Sequence, residues 1–152
     1  MTSTWQALDP EFEAKVRESF LRQAFMQHLG AQMTAVAPGR CEIRAPYRAD
    51  LTQQHGFFHA GVSGSIADSA SGYAAFTLMP TQSSVLTVEY KLNLVAPAMG
   101  QWLVARAEVL RNGKTLKVCR ADVFGVKDGA ETLCATMLST IMTMFDRKDA
   151  AR

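Results

Sequence analysis

From Gly56 through Val88 the chain carries one charged side chain, Asp68. A run that long without further charge must lie mostly inside a folded protein, yet its many Ser and Gly residues make it unlike ordinary core. His59-Ala60-Gly61 reads as a tight turn entering a helix that runs to about Met79, where Pro80 stops it. At about 100° per residue the helix has two unlike faces. Val62, Ile66, Ala67, Ala70, Tyr73 and Ala74 form a stripe suited to lie across a sheet. Gly61, Gly64, Ser65, Asp68, Ser71, Gly72 and Ala75 form a face without bulk, where a second backbone, as at a helix or subunit contact, can come close. Asp68 is expected in a confined crevice on that face.

With 152 residues and 48% hydrophobic side chains, the chain is expected to be one domain spanning 1–152, with enough length to bury a core. A net charge of +2, with Lys and Arg scattered, argues against a nucleic-acid partner. The first fifteen residues lack a positive start followed by an apolar stretch, so no signal peptide is expected and the cytoplasm is the default location. Asp68 and its Ser and Gly neighbours argue against a membrane span over 60–80. Cys41, Cys119 and Cys134 fit neither a disulfide framework nor a zinc pattern and are expected to be reduced core residues, with no metal required.

In chain order, Asp9-Pro10 suits the start of a first helix, with apolar positions at Phe12, Val16, Phe20, Ala24 and Met26 to Leu29 and an end at Gly30. Met33 to Tyr47, broken by Pro38-Gly39, predicts two short strands. Beyond Pro80, Thr87, Glu89, Lys91 and Asn93 alternate with Val88, Tyr90, Leu92 and Leu94, a strand with one wet and one dry face. Asn112-Gly113 and Asp128-Gly129 supply the positive φ of tight hairpins, so Trp102–Arg111, Lys114–Lys127 and Ala130–Phe145 should form an antiparallel meander. The charged tail from Asp146 is expected to fray. One buried helix followed by a curved antiparallel sheet is an α+β arrangement.

His59-Ala60-Gly61, Asp68 nine residues after His59, and Gln53 fifteen residues before Asp68 resemble the active-site segment of the PaaI-type hot-dog-fold acyl-CoA thioesterases. The likeness extends to Thr87, ten residues before Pro97, and to the Arg111-Asn112-Gly113-Lys114 turn, covering roughly 32–144. In that family the second position of the His-Gly-Gly motif is glycine; Ala60 departs from it. The resemblance implies a hot-dog fold, a long helix wrapped by the sheet. It implies that Asp68 acts as general base on water or attacks the thioester carbonyl itself, and that the Ala60 backbone N–H, with that of Gly61, meets the thioester oxygen at the positive end of the helix. His59 would shape the turn, Gln53 orient water or thioester, and Thr87 hold the water or carboxylate. The implied substrate is acyl-CoA, with Arg111 or Lys114 near the coenzyme A phosphates and no separate cofactor. The implied assembly is a homodimer in which the Asp and the helix N-terminus lining one site come from different subunits, with dimers often paired again into a homotetramer.

Chemistry alone leads the same way. Thioester hydrolysis needs an activated water and a donor for charge developing on oxygen; a helix N-terminus supplies the donor, and a carboxylate two turns along is expected to reach the same crevice. Partial desolvation should make Asp68 more basic. Phe57, Phe58 and the methionines of the last strand lean toward aliphatic medium or long acyl chains. Simpler readings stand beside these: Asp68 as a core carboxylate satisfied by Ser65 or Ser71, His55 as a polar loop residue, Thr87 as an ordinary strand residue, Arg111 and Lys114 as solvated turn charges, and Phe57 and Phe58 as core. A hydratase or dehydratase on the same fold, and a non-catalytic acyl-CoA binder, are the competing functions.

Overall fold

The computed structural model describes residues 5–147 and 149. At its centre lies helix α3 (Ala60–Phe76), whose stripe from Val62 to Ala74 is buried as its spacing predicts. Burying an Ile such as Ile66 contributes about 2 kcal/mol, so this stripe fixes the helix against the sheet. His59 caps the helix: its Nδ1 accepts the Gly61 N–H at 2.8 Å, while its own backbone is extended at φ −62°, ψ 139°. The helix ends one turn before the expected Met79. Thr77 Oγ1 donates to Ala74 O at 2.6 Å and accepts the Gly39 N–H at 2.7 Å, tying the end of α3 to the first hairpin turn ahead of Pro80.

Around α3 wraps one antiparallel sheet of β1 (Gln32–Ala37), β2 (Arg40–Pro46), β3 (Ser83–Leu94), β4 (Trp102–Asn112), β5 (Leu116–Lys127) and β6 (Ala130–Phe145). The strand order is β1-β2-β4-β5-β6-β3, with every pairing antiparallel. Helix wrapped by curved sheet is the hot-dog arrangement that the resemblance implies. The Asp128-Gly129 turn has positive φ at both residues, as predicted. Asn112-Gly113 differs: neither residue has positive φ, and the loop runs on to Leu116. The glycine serves close approach instead, since a Cβ there would lie 2.4 Å from Leu116 O.

Two further expectations are corrected. The first helix is two, α1 (Phe12–Leu21) and α2 (Ala24–His28), broken where Gln23 turns extended (φ −77°, ψ 96°). Its N-cap is Glu11, because the Asp9 carboxylate is drawn inward onto Lys15 Nζ at 3.0 Å and onto the Glu11 N–H. The alternation of β3 also changes phase. An extra residue at Val88 forms a bulge between Thr87 and Glu89, so Val85 and Thr87 share the helix-facing side with Tyr90 and Leu92, opposite Thr143, Ile141, Ser139 and Met137 of β6. Glu89 turns outward to Thr140. The tail expected to fray lies largely outside the described residues. No helix among them is long and apolar enough to cross a membrane, and the three cysteines are buried and free.

Candidate active site

The small face of α3 receives β3 of the same chain. A Cβ on Gly64 would sit 3.5 Å from Leu92, and one on Gly72 3.8 Å from Val85. Asp68, between these glycines along the helix, is thereby left half-buried beside Thr87, whose Oγ1 donates to Asp68 Oδ1 at 2.8 Å. Burial pushes the Asp68 carboxyl above its ordinary value, and the Thr87 hydrogen bond offsets part of that rise. The result is a carboxylate held by one donor and more basic than a free aspartate.

Asp68 does not occupy a closed crevice. It lines two adjoining surface depressions, of about 420 Å³ and 100 Å³. The larger runs between α2 and β3, past Gln23, Phe25, Met26, Ser65 and Tyr90. The smaller reaches Gly72, Tyr73, Val85 and Thr87. Gln23 and Ser69 line both, and Ser69 Oγ lies 3.3 Å from Gln23 Oε1.

The residues expected to converge are only partly together. Thr87 meets Asp68. Gln53 is folded into its own loop, where its Oε1 accepts the His55 N–H and its backbone pairs with Phe57 and Gly56; it lines neither depression. The Gly61 N–H, expected to help bind the thioester oxygen, is spent on His59. That leaves the Ala60 N–H, which has no partner among the described residues. Ala60 and Asp68 lie eight residues apart on one helix, a rise of about 12 Å. Within one chain, donor and carboxylate therefore cannot touch the same acyl carbonyl, so a single chain does not by itself form the crevice expected from its chemistry.

Arg111 and Lys114 are exposed. Leu116 is level with Met142, and Met142 with Leu86, so their hairpin stands near the start of β3, at the end of the sheet away from His59. Phe58 is core, edge-on to Tyr47 at 5.4 Å, and Phe57 is half-buried; neither borders Asp68. Gln23, Phe25 and Tyr90 were not singled out by sequence reasoning. The helix break and the bulge that deliver them arise from tertiary packing, and only the adjacency of Ser69 to Asp68 was readable locally.

The family model for the thioesterase superfamily matches residues 55–132, just over half of the chain and the span that carries His59, Asp68 and Thr87. The chain belongs to that superfamily. A solved thioesterase family protein from Silicibacter pomeroyi is 48% identical, with a TM-score of 0.87 over 88% of this chain and 98% of that one. The PaaI protein from the phenylacetic acid degradation operon of E. coli shares the fold, with a TM-score of 0.79 at 18% identity over 91% of this chain and 96% of that one. A curated relative from Halobacterium salinarum, provisionally named an esterase, is 29% identical over 111 residues, covering 70% of this chain and 73% of its own. This thioesterase-superfamily chain thus has the hot-dog fold, and Gln53 and the α1–α2 pair lie outside the stretch matched by the family model.

Proposed function

We propose that the protein hydrolyses acyl-CoA thioesters to free acid and coenzyme A, with Asp68 as the reacting carboxylate, either activating water or attacking the carbonyl. The observation that carries this reading is the half-buried Asp68, made more basic by burial, fixed by Thr87, and open to a surface depression of about 420 Å³. The Ala60 N–H at the positive end of α3 is the donor for the developing oxyanion. Since that donor and Asp68 are too far apart within one chain, the complete site is read as two half-sites across a homodimer. The edge strand β3 supports this: its outer edge is unpaired among the described residues, and Val88, Tyr90 and Leu94 are about half exposed along it. Its twelve residues make it a template for a second copy. In this reading Arg111 and Lys114 are phosphate contacts, and pairing of dimers gives a homotetramer. Medium and long aliphatic acyl groups are the favoured substrates.

The test is release of free thiol from a panel of acyl-CoAs. Asp68→Ala in a folded oligomer should lose about 10²- to 10⁴-fold in kcat/KM. Hydrolysis by that variant at the parent rate would dismiss the reading. Binding of acyl-CoA by the parent with no thiol release would show a carrier or sensor instead.

A further inference from the structure

The break between α1 and α2 sends Gln23, Ala24, Phe25 and Met26 out of line and onto the rim of the depression that Asp68 lines. Phe25 is 57% exposed while Met26 beside it is 2% exposed, so the segment is anchored through one side chain and presents the other. An exposed aromatic leaves apolar surface in water, and here it lines the same groove as the half-exposed ring of Tyr90. Apart from Asp68, the lining carries no charged side chain. Coenzyme A has an anionic nucleotide end that seeks cations, so a groove with two aromatic rings, a thioether and neutral Ser and Gln groups suits the other end of the substrate.

Resting on the thioesterase reading above, we propose that the α1–α2 bend is the acyl-side wall of the site and that Phe25 sets how long an acyl group the enzyme accepts. Specificity then lies in a segment outside the family-matched residues, while the reacting carboxylate lies within them. Each additional methylene must pass between Phe25 and Tyr90 on its way out from Asp68. A larger side chain at position 25 shortens that path, and a smaller one opens it.

The experiment measures kcat/KM for straight-chain acyl-CoAs from butyryl to palmitoyl with Phe25→Trp and Phe25→Ala, beside the parent and Asp68→Asn. Exposure of Phe25 makes both variants compatible with folding, to be checked by circular dichroism. Phe25→Trp should lower the long-to-short ratio about tenfold and Phe25→Ala should raise it by a similar factor. In addition, the Phe25→Trp fluorescence, as a difference from the parent, should shift on adding a non-hydrolysable alkyl-CoA thioether, more for longer chains. An unchanged ratio in both folded variants, with Asp68→Asn inactive, overturns the assignment and leaves Asp68 untouched. An equal rise in KM at every chain length also overturns it, since the wall would then hold the pantetheine arm. Full hydrolysis by Asp68→Asn would sink the catalytic reading itself.

Discussion

Thr87 on the edge strand donates a hydrogen bond to Asp68 on the central helix at 2.8 Å, the one side-chain bond that the carboxylate accepts among the described residues. It acts on Asp68 against the effect of burial, favouring the carboxylate form. Replacing Thr87 with Val removes that donor and lets burial act alone. The acid limb of kcat/KM should move to higher pH, and activity at pH 7 should fall about tenfold or more, the scale of one hydrogen bond to a charged group. Thr87→Ser should restore both. A pH–rate profile identical to the parent's in Thr87→Val would show that Asp68 does not set the acid limb.

Ala60 sits at the first helical position, behind a residue already extended, which is where proline is best tolerated. Ala60→Pro should keep the fold and remove only the N–H, abolishing turnover by about 10²-fold or more. Mixing it with Asp68→Asn and letting subunits exchange gives a sharper outcome. Half of the dimers would be mixed, each with one intact and one doubly broken site, so the mixture should recover about a quarter of parent activity under two-fold symmetry. No recovery after confirmed exchange would place both groups in one chain's site.

Asp68 and Asp9 titrate in opposite senses. For Asp68 the folded-state value is raised, so its effect on stability is nil below the unfolded value near 3.8 and becomes a penalty as pH rises through the folded value. Asp68→Asn should therefore melt higher than the parent at pH 7, with the gap closing toward pH 3. For Asp9, burial raises the carboxyl, but hydrogen bonds from Lys15 and the Glu11 N–H, with the Lys15 charge, hold it lower on balance. Its contribution is present at neutral pH and is lost as pH falls through the folded value. Thermal melts across pH 3–7 separate the two.

Lys15 also donates to Met79 O and Pro80 O and stands 4.7 Å from the Phe76 ring centre, so one ammonium ties α1 to the chain leaving α3. Lys15→Met would leave the Asp9 carboxylate buried without its cation. It should destabilise by about 3 kcal/mol, lowering the melting temperature by roughly 10 °C for a chain of this length. Calorimetry that finds parent-like melting would show the pair to be dispensable.

Much of the scaffold was readable because local chemistry and tertiary need agree. The stripe from Val62 to Ala74 has one possible burial, and Asp128-Gly129 has one favoured turn. Asp68 and Thr87 were both legible as candidates, and their contact follows from β3 lying on the small face of α3. What escaped depended on contacts distant in sequence. Nothing local marks Val88 as an extra residue, since alternation read from side chains runs unbroken through it. Nothing near Gln23 foretells a break that meets Ser69, forty-six residues later. Gln53 had the expected spacing but took a nearer partner, the His55 N–H.

The bulge at Val88 gives β3 one position at which its length can change without moving the side chains that follow. Deleting Val88 itself would close the bulge and make Glu89 the direct successor of Thr87, leaving Glu89 opposite Thr140, Tyr90 opposite Ser139 and Leu92 opposite Met137. A single-codon loss there should therefore be borne better than a loss further along the strand, beyond Tyr90, where the side chains that follow would change face.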